Sequence, residues 1–342
     1  MFKYFYFRRS SIVLLVLVSI FFSVSLCSAQ QLGTIPYVGN VNVNSLKVVP
    51  FVQLGYKFIG LNYNLPLNGC DAWAGRPNSV DLSLKDAAEW MGSIGFDSSL
   101  ASKFLFSLRA DGNATKNIRV FTGQDFQFFQ SPDSPLPYDW SGSQLQWWDI
   151  DGIVGYSFIR DWAILLGLRY DKLTVGLSDP VDANGSPINM INAAFPGTST
   201  SILGDVTVQA WVPYIGLQCN GANYKGQLLY SPFASSQILA PQSLYNFAPA
   251  VFQEFSGIKW NFTNTGSFFE AYLEYRDVSL HQAIQFGLWA RGSWMSSRGS
   301  GNWSLKYGEM IGGTTDAGSQ NATGSLSTYG ISFGISTSFS MN

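Results

Sequence analysis

Charged residues are scarce in this chain, and long apolar runs are missing from most of it. Only 12% of the 342 residues are charged, about half of the share usual in a soluble domain. After residue 29, no stretch approaches the roughly 20 consecutive apolar residues that a membrane-spanning helix needs. The composition therefore argues against an ordinary soluble surface and also against helical membrane spans.

Residues that carry chemistry are few as well. The sequence holds one histidine, His281, and three cysteines. It contains no glycine-rich phosphate loop, no zinc-ligand spacing and no haem-attachment motif. We therefore expect no cofactor and no metal site.

The first 29 residues have the pattern of a cleaved secretory signal peptide. A basic start, an apolar stretch and a small-residue cleavage site follow one another at Lys3, Arg8 and Arg9, at residues 12–24, and at Cys27-Ser28-Ala29. The apolar stretch is too short to span a bilayer as a helix. Cleavage after Ala29 leaves 17 basic and 22 acidic residues, a net charge of −5. This mildly acidic balance argues against a nucleic-acid partner.

What the chain does have is aromatic residues, which make up 15% of it, and strict period-two alternation. At the C-terminus, every even position from 330 to 340 is glycine or serine. The odd positions form the opposite face, with Tyr329, Ile331, Phe333, Ile335, Thr337, Phe339 and Met341. Because side chains alternate across a β-strand, this pattern predicts one greasy face and one small polar face.

Similar alternation recurs along the chain. Within 162–176, we predict that Trp162, Ile164, Leu166, Leu168 and Tyr170 face outward and that Arg169 and Asp171 face inward. The predicted strands are 47–63, 86–97, 102–111, 145–158, 162–176, 203–218, 223–231, 250–263, 267–277, 282–295, 302–310 and 324–341. Many are longer than the usual soluble strand of about five or six residues and suit tilted membrane spans.

The sequence thus predicts an all-β fold, a transmembrane antiparallel up-and-down β-barrel of about 12 strands. Residues 30–46 are expected to form an N-terminal periplasmic segment and residues 47–342 a single barrel domain. The alternative is 14 strands, if segment 117–127 spans the membrane and another strand was missed; otherwise that segment is an outer excursion. Such barrels have short periplasmic turns and longer outer loops. We place short turns near 97–101, 159–161, 219–222, 264–266 and 296–301, and long loops near 64–85, 177–202, 232–249 and 311–323.

The terminal strand resembles the C-terminal signal of bacterial outer-membrane β-barrel proteins, because Phe339 lies in an alternating strand near the chain end. The chain departs from the usual pattern in closing with Ser340-Met341-Asn342. The resemblance covers about fifteen residues and identifies a class but no specific family. It implies outer-membrane lipid and the barrel-assembly machinery of a Gram-negative cell as partners.

Charges of both signs fall on the predicted inner face and are close to balance. The candidate lumen-lining residues are Lys57, Glu89, Arg109, Asp149, Asp151, Arg169, Asp171, Asp205, Lys259, Glu270, Glu274, Arg276 and Arg291. The wider inner face adds Lys47, Lys103, Asp111, Lys225 and Lys306. These charges either pair across the interior and plug it or line a narrow channel. A barrel of eight strands is filled by side chains and one of sixteen is open, so twelve strands leave both outcomes possible.

The leading functional hypothesis is a porin-like passive channel for small solutes. The alternative is a structural or surface-interaction barrel with a plugged lumen, and a membrane-embedded hydrolase is a distant third. We expect no enzyme, because the surroundings of His281 match neither the phospholipase nor the protease motif of barrel enzymes, whose sites lie at the outer end. Asp149 and Asp151 share a strand face, but we favour charge pairing with Arg169 or other basic groups across the barrel over a catalytic pair.

The cysteines offer a check on the assigned sides. Cys70 lies in a predicted outer loop and Cys219 in a predicted periplasmic turn. The bilayer core between them is about 30 Å thick, whereas a disulfide tolerates a Cα separation of only about 7 Å. We therefore predict that these two residues are not bridged to each other and that both thiols are free.

Overall fold

Thirteen β-strands form one antiparallel sheet in the computed structural model. The structure describes residues 46–66, 79–100, 103–113, 120–126, 138–181, 204–221, 223–239, 258–281, 284–306, 315–319 and 323–339. In these ranges, no helix has the length and apolarity needed to cross a membrane.

The strands are long, and most exceed fifteen residues. Their bounds are β1 Leu46–Pro66, β2 Ser79–Leu100, β3 Phe104–Asn113, β4 Val120–Phe126, β5 Tyr138–Ile159, β6 Trp162–Val181, β7 Gly204–Asn220, β8 Tyr224–Leu239, β9 Ile258–His281, β10 Ile284–Gly299, β11 Gly301–Lys306, β12 Thr315–Ser319 and β13 Gly324–Phe339.

The sheet closes on itself, because β1 pairs with both β2 and β13 and β10 pairs with both β9 and β13. Three positions around the barrel are each occupied by two strands, one after the other along the barrel axis. β3 and β4 share the position between β2 and β5. β10 and β11 share the position beside β9, and β12, which pairs with β11, shares the next position with β13. The barrel therefore has ten strand positions.

The two ends of the barrel differ in their connections. Two or three residues separate β2 from β3, β5 from β6, β7 from β8 and β9 from β10. Eight to 22 residues separate the strands that are joined at the other end. We call these the short-turn end and the long-loop end. β1 begins and β13 ends at the short-turn end, where Leu46 pairs with Leu100 and Phe339 pairs with Ile284.

The predicted alternation of faces is confirmed. On β6, Ile164, Leu166 and Leu168 are about half exposed, whereas Leu165 and Arg169 are buried. On β13, Ile331, Phe333 and Ile335 are exposed between buried serines, as the odd-even pattern predicts. The greasy face of these strands therefore points away from the barrel axis.

The prediction of 12 strands, or of 14, is wrong. The described part of 250–263, residues 258–263, and the segment 267–277, which were assigned to two strands, belong to the single strand β9. The described part of 302–310, residues 302–306, was assigned to a separate strand but lies in β11, which continues β10. The turns predicted at 264–266 and 296–301 thus lie within strand positions. β4 falls in the segment 117–127 and extends the position of β3 rather than adding a span.

A bulge in β9 explains the false turn. Residues Asn264-Thr265-Gly266 carry the composition of a turn, but the pairing with β8 only shifts register there, between Ser231 and Ser236. Asn264 has a left-handed backbone conformation with φ of 54°. Its backbone N–H donates to the Ser235 hydroxyl at 2.9 Å, and that hydroxyl donates to the Asn264 side-chain oxygen at 3.0 Å. Turn-forming residues here make a bulge and not a reversal.

Counting one strand too many before residue 280 inverts the direction assigned to the next strand. His281, predicted at the outer end, is the last residue of β9 at the short-turn end. The second miscounted strand restores the direction, so both ends of the barrel domain still fall on one side.

Cys219 also lies at the short-turn end and is disulfide-bonded, so the prediction of a free Cys219 thiol is wrong. Cys70, the signal peptide and residues 30–45 lie outside the described residues.

The bulge generates a stability prediction. Replacing Asn264 with valine, a β-branched residue, should destabilise the barrel by about 1–3 kcal/mol, because valine is strained in the left-handed region and lacks the side-chain oxygen. Asn264→Gly should cost less, since glycine adopts this conformation freely. Urea unfolding of the protein in lipid vesicles measures both. Equal losses for the two variants would show that backbone conformation is not what Asn264 supplies.

Candidate functional site

The interior of the barrel is layered along its axis. Near the short-turn end it is polar, the middle is charged, and the half toward the long-loop end is apolar. The apolar layer includes the fully buried side chains of Leu61, Leu65, Leu145, Val206, Ile238, Trp260 and Phe262. A membrane barrel ordinarily has a polar interior, so this apolar half was not expected.

The outer surface changes polarity at the same level. Beside the apolar inner layer, exposed or half-exposed outward residues are polar, among them Asn62, Asn64, Thr207, Asn261 and Thr263. Closer to the short-turn end, the outward residues are the apolar ones. In β9 the change occurs at the Asn264 bulge, beyond which Phe269, Leu273 and Tyr275 face outward.

Seven charged side chains cross the middle of the barrel, and we call them the ion-pair belt. All are buried, with at most 7% of each residue exposed. They come from β3, β5, β6, β9 and β10 and are Arg109, Asp111, Asp149, Asp151, Arg169, Glu270 and Arg291. Because an unpaired buried charge is very costly, their mutual contacts decide whether the belt is stable.

Glu270 connects the walls of the barrel. Arg169 donates to one of its carboxylate oxygens, and Arg109 and Arg291 lie 3.5 and 3.7 Å from the other. β9 and β3 lie five positions apart in the ring of ten, so the contact between Glu270 and Arg109 spans the full width of the lumen.

The other belt carboxylates are also held. Arg109 donates to Asp151 at 3.0 Å, and Arg169 donates to Asp149 at 3.0 Å. Asp111 accepts from Arg291 and from the Ser93 hydroxyl. Each arginine therefore bridges at least two carboxylates.

Tyr214 supports the belt from β7. Its hydroxyl donates to Asp151, and its ring lies over Gly167, where a Cβ atom would overlap the ring. Glycine is needed at this position because the aromatic ring occupies the space of a side chain. The phenol thus reaches the carboxylate from the neighbouring wall.

A second charged group lies on the short-turn side of the belt. Lys225 donates to both oxygens of Asp97 at 2.9 Å, and Arg276 donates to Glu274 at 2.6 Å. A polar vestibule of about 260 Å³ opens beside these residues at the short-turn end. A space of only about 10 Å³ separates this group from Arg109 and Asp151, so the vestibule ends at the belt.

A cavity of about 80 Å³ lies on the other side of the belt, toward the long-loop end. Lys57, Asp149, Arg169 and Asp171 form its charged floor. The Lys57 ammonium lies 3.5 Å from the centre of the Trp147 ring and 3.9 Å from Asp149. The cavity and the vestibule are therefore separated by buried ion pairs.

The structure places most of the candidate lumen-lining residues inside the barrel. Six of them belong to the belt, Lys57 and Asp171 border the cavity, and Glu274 and Arg276 lie on the short-turn side of the belt. Glu89 is buried opposite Lys57. The side chains of Asp205 and Lys259 lie outside the described residues. Asp149 and Asp151 bind different arginines rather than each other, Asp149 with Arg169 and Asp151 with Arg109, which agrees with the predicted charge pairing.

Sequence reasoning missed the aromatic residues of the interior. Trp147, Tyr214 and Phe268 were not among the candidates, although each has inward parity on its strand, and that parity was the available signal. The described residues contain no group of three or more His, Cys, Asp or Glu side chains placed to hold a metal ion.

No family model and no curated protein matches the chain. Among solved structures, it is similar to the outer membrane protease OmpT from Escherichia coli, with a TM-score of 0.57 and 13% identity, over 88% of this chain and 100% of that one. It also matches the translocator domain of autotransporter NalP from Neisseria meningitidis (TM-score 0.34, 8% identity, 86% and 90% coverage) and a Pseudomonas aeruginosa FadL homologue (0.29, 9%, 86% and 91%). The likeness to OmpT shows a shared barrel fold, and the other two are too distant to carry an argument.

Glu270 should be the most sensitive residue of the belt. Glu270→Gln keeps the shape of the side chain but leaves three buried arginines without a shared counter-charge. Breaking a buried ion pair typically costs about 3–5 kcal/mol, and we expect a loss of this size in urea unfolding. The matched control is Asp161→Asn, in the exposed turn after β5, which should change stability by less than about 0.5 kcal/mol. Similar losses for both variants would mean that the belt does not stabilise the fold.

Proposed function

We propose that this protein is an outer-membrane β-barrel with a closed lumen, which serves as a rigid scaffold for the segments at its long-loop end. The observation that carries the proposal is the ion-pair belt across the interior. This favours the plugged barrel over the porin-like channel among the hypotheses raised by the sequence.

The outer surface supports a membrane location. Within the described ranges, thirty large apolar residues are exposed, an area far larger than a soluble monomer leaves in water. Aromatic rings border this band toward the long-loop end, where Tyr170 packs between Trp148 and Trp211 at 5.1 and 4.5 Å. Phe104 and Tyr156 stack at 5.5 Å nearer the short-turn end. Such paired girdles are typical of outer-membrane barrels.

The height of the band fits a bilayer. On β6 it runs from Trp162 to Tyr170, or about 26 Å along the strand at roughly 3.3 Å per residue. With a strand tilt of about 40°, this corresponds to roughly 20 Å, close to the apolar band of about 25 Å in such barrels. The belt residue Arg169 lies on the inner face of β6, beside Tyr170 at the edge of the apolar band. The barrel wall therefore separates the charges of the belt from lipid.

The interior supports closure rather than conduction. Eight strands leave a lumen filled by side chains, and sixteen leave an aqueous channel. Ten strands lie nearer the first case, and long arginine side chains reach from wall to wall. Above the belt, the apolar layer packs the lumen again with Trp260, Phe262 and several leucines.

An enzymatic role receives no separate support. OmpT is a protease, but the likeness concerns the fold alone at 13% identity. The single histidine of this chain, His281, stands at the short-turn end of β9, on the side opposite the long connections.

Planar-bilayer recording tests the closed lumen. We expect no unitary conductance steps from the native protein, because the belt leaves no continuous aqueous path. A variant that opens both filled layers, with Arg109→Ser and Asp151→Ser in the belt and Trp260→Ala in the apolar layer, should produce steps, whereas the belt pair alone should not. The control pair Lys225→Ser with Asp97→Ser lies below the belt and should stay silent. Stable steps from the native protein would favour the passive channel and overturn the proposal.

The membrane location is tested by depth-dependent substitution. Leu166 is exposed on the outer face near the middle of the band, so Leu166→Arg should cost about 2–4 kcal/mol in vesicles. Ile159, equally exposed at the short-turn end of β5, provides the control, and Ile159→Arg should cost about 0–1 kcal/mol. An equal cost at both positions would argue against a bilayer around this surface.

A further inference from the structure

The cavity above the belt contains hydrogen-bonding groups that the chain itself does not satisfy. It is enclosed on the short-turn side by the belt, and several of its walls are apolar. Buried polar groups in proteins nearly always have partners. Unsatisfied groups around a cavity therefore point to something that binds there.

Lys57 supplies the first such group. Its ammonium carries three donors but, within the described parts of the chain, makes no hydrogen bond to another residue. Its contacts are the Trp147 ring and an ion pair with Asp149 at 3.9 Å, which is beyond hydrogen-bond distance. The Lys57 side chain is 14% exposed, so an acceptor in the cavity has access to it.

Asp149 and Asp171 supply the opposite charge. One carboxylate oxygen of Asp149, Oδ2, accepts from Arg169, whereas Oδ1 is buried without a partner. Asp171 also pairs with Arg169 at 2.7 Å, and its side chain remains 31% exposed. Asp171 is therefore an accessible acceptor beside the buried negative charge of Asp149, and Lys57 is an accessible donor.

The two signs together determine the class of ligand. A simple anion at Lys57 would face two carboxylates, and a simple cation would face Lys57 and Arg169. A zwitterion places its carboxylate near Lys57 and its ammonium at Asp171, with the buried charge of Asp149 close by. The walls formed by Phe268, Met295 and Val208 suit a short apolar group.

The size of the cavity limits the ligand further. One water needs roughly 10–15 Å³ of such volume, so 80 Å³ holds roughly five to eight non-hydrogen atoms by the same measure. The smaller apolar α-amino acids, from alanine to valine, fall in this range.

We propose that the cavity above the belt is a binding site for a small apolar α-amino acid in its zwitterionic form. The site goes beyond the proposed function, since a scaffold with a closed lumen needs no small ligand. A failure to bind the amino acid and a failure of the lumen to stay closed are therefore separate results, the first measured by calorimetry and the second by planar-bilayer recording.

The test is isothermal titration calorimetry of the full-length protein in detergent micelles with L-alanine and L-valine. Ligands of this size bind weakly, and we expect a dissociation constant on the order of 1 mM. Propionate and isopropylamine each carry one of the two charges and should bind at least tenfold more weakly than valine. Equally tight binding of propionate or isopropylamine would overturn the zwitterion assignment.

Two variants locate the site. Lys57→Met keeps the length of the side chain and removes its charge, and Asp171→Asn removes a carboxylate that lies outside the belt. Each should weaken valine binding at least tenfold, because each loses a charge-assisted contact. The control Lys103→Gln, exposed in the turn between β2 and β3, should bind as the native protein does, and far-UV circular dichroism checks that every variant is folded. The cavity would be shown to hold only water by either of two results. One is that the native protein does not bind valine at a valine concentration about ten times the expected dissociation constant. The other is that both variants bind valine as the native protein does.

Discussion

The contact of one buried carboxylate with three arginines is the interaction on which the interior depends. Arg109, Arg169 and Arg291 approach Glu270 from three different strands. Arginine suits this role because its planar fork binds two carboxylates at once and stays charged when buried. A lumen ten strands wide is too narrow for a broad channel, yet long side chains can bridge it. In the proposed membrane location, lipid excludes charged side chains from the outer surface. The charged side chains therefore lie inside the lumen, where they neutralise one another.

The barrel combines two opposite patterns of polarity along one set of strands. Near the short-turn end, the outside is apolar and the inside polar, as in a membrane barrel. Toward the long-loop end, the outside is polar and the inside apolar, as in a soluble barrel. The change occurs at the aromatic girdle around Tyr170 and at the Asn264 bulge. With the apolar band in the bilayer as proposed, the strands extend well beyond the membrane, and the part that leaves it has an ordinary hydrophobic core.

Much of the fold was predictable from the sequence, because period-two alternation determines which side chains share a face. The outward set on β6, the alternation of β13 and the short turns after β2, β5 and β7 follow from it. The strand number did not follow. Asn264-Thr265-Gly266 looks like a turn, since the residues that reverse a chain are also those that form bulges. Only pairing with β8 distinguishes the two, and pairing is not a local property.

The candidate site was predictable only in part, for a similar reason. Inward parity identified Arg109, Arg169 and Glu270 as interior charges. Which acid meets which arginine depends on side chains that cross the lumen between strands up to five positions apart. Tyr214 needed Gly167 beneath its ring, a relation between two strands that neither strand reveals alone.

The apolar core of the protruding half has a thermal consequence. Unfolding that half exposes apolar surface to water and raises the heat capacity by about 0.45 cal/mol/K for each Å². In the proposed membrane location, the outward apolar residues of the other half are in contact with lipid instead of water, so this relation between heat capacity and exposed area does not apply to them. Hydrophobic stabilisation weakens on cooling, which loosens the protruding rim before the membrane-embedded wall. The two halves of one continuous strand, such as β9, are thus expected to differ in their temperature of greatest stability.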